Sequence, residues 1–263
     1  MILLVMFVDF CLSLVFLFPF KDDRGRYRSF PSMTVGLILI NTIVHVIFYS
    51  LLPRWLGDDE AWLDLRWQMM LVPADVVNGE GLGALSMLTS AFLHADWSHL
   101  IGNMLYLFSF GRKLEDVMGP AKFGLFYVVC VFVSSIGSVL GRVALPLTQG
   151  KIPGLGASGA VMGVVGAYLF LYHEQRIRTL PMLLGFIPIP FTLRMPTWVF
   201  IVQTVARDVT RGWLEQQFQA HGTIHSLVGS SAHLGGIIAG LTCLYFFLPR
   251  ELLYYRHRPD EAL

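Results

Sequence analysis

The stretch that decides the fold is His94-Ala-Asp-Trp-Ser-His99-Leu-Ile-Gly-Asn103, which opens an apolar segment ending near residue 111. Two further polar insertions follow inside apolar runs, Gly156-Ala-Ser158-Gly159 and Ala232-His233-Leu-Gly-Gly236. Polar and ionisable side chains are costly in hydrocarbon, so serine, histidine and asparagine in such segments indicate a functional site.

The composition around these insertions indicates a membrane protein. The chain has 263 residues, 55% of them hydrophobic and 14% charged, and its mean hydropathy is +0.61. A soluble domain of this length needs a more polar surface. The net charge of +1 gives no reason to expect a nucleic-acid partner. All three cysteines lie in apolar runs, which excludes a disulfide framework or a cysteine metal site as the organising feature.

Six apolar segments are candidates for membrane-spanning helices, each close to the roughly 20 residues that a bilayer requires. They are residues 31–52, 93–111, 121–145, 157–172, 196–212 and 229–248. The predicted fold is therefore an all-α polytopic membrane helix bundle, with one six-span domain over residues 21–263. Residues 1–20 form a further apolar stretch that contains Asp9 and has no basic residue before it, which argues against a signal peptide. We expect a loosely attached extra helix there; a start assigned too far upstream would explain the same stretch.

The basic residues predict the orientation of the six spans. Of the 19 Lys and Arg residues, 13 fall on the side that holds both ends of the core, which the positive-inside rule assigns to the cytoplasm. The acidic, Trp-bearing residues 53–92 are typical of short helices in the outer interface. Residues 179–195 contain three prolines and so cannot form one regular helix, which predicts a cytoplasmic interfacial connection rather than a span.

The polar residues of three spans are predicted to meet at one depth. Ser158 lies about 22 Å, His233 about 24 Å and His99 about 20 Å from the cytoplasmic ends of their helices, at ~1.5 Å per residue. Asn103 follows His99 by one turn on the same helix face. Hydrolysis at this depth requires water, so the spans must enclose a cavity that opens to the outside.

These residue types suit nucleophilic catalysis. Serine is a weak nucleophile unless a base accepts its proton, and His233 is the candidate base for Ser158. No acidic residue stands near His233 in the sequence, so a dyad is favoured over a triad. Ser158 follows a glycine-bearing loop and opens a helix, where its backbone N–H, with the side chains of His99 and Asn103, can stabilise an oxyanion.

Glycines on two of the spans predict close helix packing beside the dyad. Small residues at four-residue spacing allow membrane helices to approach backbone to backbone. The fourth and sixth spans carry such residues at Gly159, Gly163, Gly166, Gly236 and Gly240.

Together these motifs resemble the rhomboid family of intramembrane serine proteases, and the resemblance runs from about Phe18 to Phe247. It implies Ser158 as nucleophile, His233 as base, and His99 and Asn103 as oxyanion donors. It also implies supporting roles for His94, Gly156, Gly159, Met162, Gly236 and Gly240. Family substrates are single-span membrane proteins that are cut near the outer membrane boundary, and no cofactor or metal is expected. The chain departs from the family at Leu85-Ser86, where many members have Trp-Arg, and at Met162, where many have an aromatic residue.

Other functions are weaker alternatives. A catalytically silent rhomboid-like protein could bind or escort client membrane helices, but such members typically lack the nucleophile or the base. His221 and His225 have a spacing that can bind zinc, yet no Glu stands between them as in a His-Glu-x2-His motif, so solvated side chains are expected. A transporter is disfavoured because the predicted spans lack ion-coupling carboxylates. The plain six-span core predicts a bacterial plasma membrane as the location, with a cytoplasmic C-terminus.

Overall fold

The computed structural model describes residues 15–22, 29–143, 150–183, 187–220 and 229–248. The helices of this part are α1 (Ser32–Val46), α2 (Leu52–Leu56), α3 (Asp59–Met69), α4 (Pro73–Asn78), α5 (Ser86–Thr89), α6 (Trp97–Tyr106), α7 (Arg112–Met118), α8 (Pro120–Val143), α9 (Ser158–Tyr172), α10 (Thr197–Ala220) and α11 (Ser230–Phe247). The strands are β1 (Val15–Asp22), β2 (Arg176–Leu183), β3 (Ile187–Pro188) and β4 (Leu193–Pro196).

The predicted helical membrane bundle is confirmed, with a helix at each of the six predicted positions. Within the described ranges, three helical stretches are long and apolar enough to cross a membrane: Ser32–Leu56, Pro120–Gly141 and Ser230–Phe247. Helix α9 is also apolar, but its 15 residues fall short of the length of these three stretches. The fifth segment extends as helix to Ala220, beyond its apolar part.

The second segment begins and ends differently from the prediction. Its helix starts at Trp97 because the Asp96 carboxylate accepts a hydrogen bond from the His99 N–H at 2.9 Å and caps the first turn. The helix then passes through a π-helical turn, Leu107–Gly111, and continues as α7 to Met118. Gly119, at φ 77°, ends it in a conformation that favours glycine.

A buried carboxylate fixes the start of α1 against α7. Glu115 is 1% exposed and accepts hydrogen bonds from the Met33 and Thr34 N–H groups, each at 2.8 Å, and from the Thr34 hydroxyl at 2.7 Å. These donors include free N–H groups of the first helical turn, which have no partner within the helix. A negative charge at that end also suits the helix dipole.

The segment between α1 and α6 folds into short helices, as predicted. The Trp62 Nε1 donates to the Phe48 carbonyl at 2.8 Å, which ties α3 to the π-helical turn after α1. At the position of the departure from the family, the Ser86 hydroxyl donates to the Gly83 carbonyl at 2.7 Å. Ser135 on α8 donates to the Met87 carbonyl at 3.2 Å, so α5 remains attached to the bundle.

A small antiparallel sheet corrects one prediction and gives the structure of another segment. Residues 15–20 belong to strand β1 and not to a helix; residues 1–14 lie outside the described part. β1 pairs with one edge of β2, and β3 and β4 pair with the other. The described part of residues 179–195 connects α9 to α10 through strands and forms no spanning helix, as predicted. The helix expected for residues 15–20 is wrong because a short apolar run fits a helix or a strand equally, and pairing with a distant partner decides between them.

The core lies where α8, α9 and α11 meet. Its largest fully buried side chains are aromatic, among them Tyr127, Tyr168 and Phe200. Phe110 contacts Tyr168 edge to face, with ring centroids 4.9 Å apart, and Phe200 of α10 at 5.7 Å. This packed layer forms the inner half of the bundle, and the polar residues of the predicted site lie on its outer side.

Candidate active site

The loop before α9 is held from two sides and presents Ser158 at the start of the helix. The backbones of Leu71 and Gly154 exchange two hydrogen bonds, at 2.9 and 2.7 Å. The Gly156 N–H donates to the Ser90 carbonyl at 2.9 Å. Gly156 adopts φ +116°, a conformation that side-chain-bearing residues rarely reach. Ser158 then opens α9, where backbone N–H groups are free of helical partners.

His99 and Asn103 lie directly against this loop. A β-carbon on Gly156 would lie 2.9 Å from His99 Nε2 and 3.7 Å from Asn103 Nδ2, so only glycine fits there without displacement. The Ala95 N–H donates to His99 Nδ1 at 3.4 Å, which makes Nδ1 the acceptor. A neutral imidazole with its acceptor at Nδ1 carries its proton on Nε2, on the side facing Gly156.

The buried amide of Asn103 is a donor that remains available. Its Nδ2 is shielded from solvent and donates no hydrogen bond within the described part of the chain. Buried donors without partners are rare because each costs free energy to desolvate. This amide group borders the cavity described below, where a bound oxygen atom would satisfy it.

Glycine contacts join α9 to α11 beside the serine, as the sequence predicts. A β-carbon on Gly236 would meet the Gly159 carbonyl oxygen, and one on Gly240 would meet the Gly163 carbonyl oxygen. A β-carbon on Gly159 would lie 3.5 Å from the Ala232 carbonyl oxygen. The residue after Ser158 therefore approaches the residue before His233. The His233 side chain lies in the first turn of α11 and is 8% exposed.

One cavity of about 530 Å³ brings the predicted residues together. It is lined by Ser158, His233, His99, Asn103 and Met162, among others. Met162 is 6% exposed and lines the same cavity as His233. An apolar thioether can pack against an imidazole as an aromatic ring does.

His94 does not line this cavity. It is fully buried behind His99, with ring centroids 5.2 Å apart and planes at 70°. Its other side faces His45 of α1, at 6.3 Å. Its position is that of a support for His99, not of a group that reaches a substrate.

Two features of the cavity wall were missed from the sequence. Ser134, Ser135 and Ser138 of α8 line it, and a β-carbon on Gly159 would lie 2.5 Å from Ser134 Oγ. Their spacing within an apolar span is a visible signal, but serines also hydrogen-bond to their own helix, as Ser134 does to the Val131 carbonyl. Arg207 of α10 lines the cavity too, although the sequence suggested only a basic residue on the outer side.

Metal ligation has no support among the residues that the structure describes. No group of three or more His, Cys, Asp or Glu side chains suited to a metal ion occurs in these ranges. His221 and His225 lie outside the described residues.

Comparison with known proteins identifies the family. The model of the Rhomboid domain matches residues 83–250, well over half of the chain. Rhomboid protein 1, mitochondrial, of Saccharomyces cerevisiae is 33% identical over 94% of this chain and 62% of its own length. The putative rhomboid protease YdcA of Bacillus subtilis is 33% identical over 40% of this chain and 56% of its own length. The human presenilin-associated rhomboid-like protein, mitochondrial, is 30% identical over 66% of this chain and 40% of its own length.

The chain belongs to the rhomboid family. Members of this family act on transmembrane substrates within the bilayer. The chain spans between 40% and 62% of the length of the three relatives described above.

The expected bacterial plasma membrane is wrong. The yeast and human relatives, and a plant relative that is 29% identical, are named as mitochondrial proteins. The expectation rested on the plain six-span core, and it failed because the number of spans does not specify which membrane holds a chain. The basic residues had assigned the C-terminus to the cytoplasm, and that assignment falls with the choice of membrane, because the compartment on the richer side depends on which membrane holds the chain.

Proposed function

We propose that this protein is an intramembrane serine endopeptidase that cuts transmembrane proteins with Ser158 and His233. The observation that supports the proposal most is the shared cavity. Ser158, His233, His99 and Asn103 come from three helices, yet all four border one space of about 530 Å³. A pocket with convergent polar groups, within an otherwise apolar bundle, is the expected form of an active site.

The reaction proceeds through an acyl-enzyme. His233 accepts the Ser158 hydroxyl proton while Oγ attacks the carbonyl carbon of the substrate peptide bond. The tetrahedral intermediate collapses, the C–N bond breaks, and His233 gives the proton to the leaving amine. A water molecule then attacks the ester with His233 again as base, which releases the carboxylate product and restores Ser158.

Three donors stabilise the negative charge that develops on the carbonyl oxygen. These are the Ser158 backbone N–H at the start of α9, the Nε2–H of His99 and the Nδ2–H of Asn103. The hydrogen bond from Ala95 holds the His99 ring in the required tautomer. Donors fixed before the reaction contribute most because they need no reorganisation in the transition state.

The serines of α8 keep water in the cavity. Ser134, Ser135 and Ser138 line the cavity, and Ser134 lies next to Gly159. Buried water remains where it finds several polar partners. The hydrolytic step consumes one water molecule, and a polar wall that retains water at this depth supplies it.

The substrates we propose are single-span membrane proteins, cut near the outer end of the span, where the cavity meets the loop before α9. Because three relatives are named as mitochondrial, we propose a mitochondrial membrane as the site of action. Fractionation of cells that express the full chain tests the location.

Labelling by a serine-reactive fluorophosphonate tests the chemistry. We expect the wild-type protein in detergent to be labelled, and Ser158→Ala and His233→Ala to lose the label and all cleavage of a model membrane substrate. Ser230→Ala is the matched control: Ser230 opens α11 as Ser158 opens α9, but it does not line the cavity. It should be labelled like the wild type.

Two outcomes would contradict the proposal. Equal labelling of the wild type, Ser158→Ala and His233→Ala would place the reactive group elsewhere. A folded wild-type protein that binds membrane helices without cleavage or label would favour the catalytically silent alternative.

A further inference from the structure

Arg207 is a cation within a helix that the bundle places beside the proposed active site. It lies on α10 and lines the same cavity as Ser158 and His233. Its side chain is half-buried, and its Nε atom is shielded from solvent. It is the only Lys or Arg among the described residues that border the cavity.

The packing of α10 turns the side that carries Phe200 and Arg207 towards the rest of the bundle. Phe200 contacts Tyr106 at the end of α6, with ring centroids 5.9 Å apart, and Phe110 at 5.7 Å. These contacts join α10 to the end of α6 and to the turn that follows it. Arg207 lies two turns further along α10, where it and residues of α6 border the cavity. A transmembrane segment that reached Ser158 between α6 and α10 would pass Arg207.

The position of Arg207 combines the outer level of the span with the wall of the cavity. It lies ten residues past Thr197, about 15 Å along α10, and five residues before the end of the predicted span at residue 212. A long basic side chain at this level can reach the interface, yet Arg207 borders the cavity that holds Ser158. Arg207 also interacts within the protein. A guanidinium has five N–H donors, more than a single partner accepts.

Among the described residues that border the cavity, the acidic side chain is Asp96, and its carboxylate already accepts hydrogen bonds within α6. The Asp96 carboxylate accepts hydrogen bonds from the Ser98 hydroxyl at 2.5 Å and from the His99 N–H at 2.9 Å. It therefore caps α6 and supports the helix that carries His99. A carboxylate that arrives with the substrate would meet a guanidinium whose planar fork matches it in two parallel hydrogen bonds.

We infer that Arg207 is a specificity-determining residue that binds an Asp or Glu side chain of the substrate, next to the bond that is cut. This inference rests on the proposed peptidase function of the same cavity. It predicts that the preferred substrates carry an acidic residue within about one helical turn of the cleavage site. The gain comes from pairing two charges in a site partly shielded from bulk water, where two parallel charge-assisted hydrogen bonds are stronger than they are in solution.

The test is a matrix of substrates and variants in vesicles of neutral lipid. One single-span substrate carries Glu, Gln or Lys at each position within four residues of the cleavage site. The wild-type protein should cut the best Glu substrate at least tenfold more efficiently (kcat/KM) than its Gln counterpart. Arg207→Gln should abolish this preference and Arg207→Lys should keep part of it, while Arg207→Glu should favour the Lys substrate. Lys151→Gln, which removes an exposed charge from the loop outside the cavity, should behave as the wild type.

The outcomes separate this inference from the proposed function. Wild-type protein that is labelled at Ser158 and cuts Glu and Gln substrates equally, or a Glu preference that survives Arg207→Gln, would overturn the inference alone. Absence of labelling and cleavage with every substrate would overturn both. Activity that responds to added anionic lipid, and loses that response in Arg207→Gln, would assign the guanidinium to a lipid phosphate and overturn the inference.

Discussion

At the residue scale, the strongest chemical feature is a buried amide without a partner. The Asn103 side chain is 9% exposed, its Nδ2 makes no hydrogen bond in the described part, and it faces the cavity that Ser158 borders. A residue that served only packing would normally have its donors satisfied. The free-energy cost of burying this N–H donor is explained if the oxyanion that develops during the reaction accepts its hydrogen bond.

Asn103→Ala should therefore slow cleavage without unfolding the protein. Loss of one oxyanion donor costs about 10²–10³ in kcat, while the midpoint of thermal unfolding should stay near that of the wild type. Steady-state cleavage and thermal denaturation in the same detergent measure both effects. Asn41→Ala is the matched control, since this buried Asn of α1 lies away from the cavity and donates to the Leu37 carbonyl. If Asn103→Ala unfolds the protein and leaves kcat of the folded fraction unchanged, Asn103 serves packing.

At the element scale, the approach of α9 to α11 determines whether the two halves of the dyad can meet. The contact is made by backbone atoms, since β-carbons on Gly236 and Gly240 would collide with the carbonyl oxygens of Gly159 and Gly163. Backbone cannot move aside as a side chain can. Extra side-chain atoms at this contact must therefore displace the two helices, and Ser158 and His233 move with them.

Gly240→Val should separate the two helices and reduce activity. Overpacking of this kind costs about 1–3 kcal/mol of folding free energy, and a displacement of ~1 Å at a catalytic pair costs about 10²-fold in rate. The rate of fluorophosphonate labelling and the midpoint of thermal unfolding report the two effects. Gly36→Val on α1 is the control, because a β-carbon there meets nothing within 4 Å. Equal behaviour of the two variants would show that the α9–α11 contact does not position the dyad.

At the scale of the whole molecule, the bundle divides into a packed inner half and a hollow outer half. Aromatic rings of α8, α9 and α10, with Phe110 of the turn before α7, fill the inner half. Serines, histidines and Asn103 border the cavity of about 530 Å³ in the outer half. A membrane protein can tolerate such polar groups only where protein or water satisfies them.

This division predicts selective access of water along α8. Cys130 is 0% exposed and does not line the cavity, while Ser135, little more than a turn further on, does. In protein with Cys11 and Cys243 replaced by alanine, Ser135→Cys should react with a charged, impermeant thiol reagent about tenfold faster than Cys130 or more, since thiol reactivity follows access to water. Mass spectrometry of reconstituted protein gives both rates. Equal protection of both thiols would mean that the cavity is closed to water.

The sequence by itself determined the helical membrane character and the six helical positions, and it named Ser158, His233, His99 and Asn103, which border the cavity. It could do so because apolar runs and intramembrane polar residues are local signals with strong energetic causes. Only the tertiary structure decided the sheet of β1 with β2, since strand pairing joins residues more than 150 positions apart. It also decided which faces of α8 and α10 line the cavity, and so the roles of Ser135 and Arg207. The rotation of a helix about its own axis is set by packing against neighbouring helices, and the sequence of one segment does not specify which helices those are.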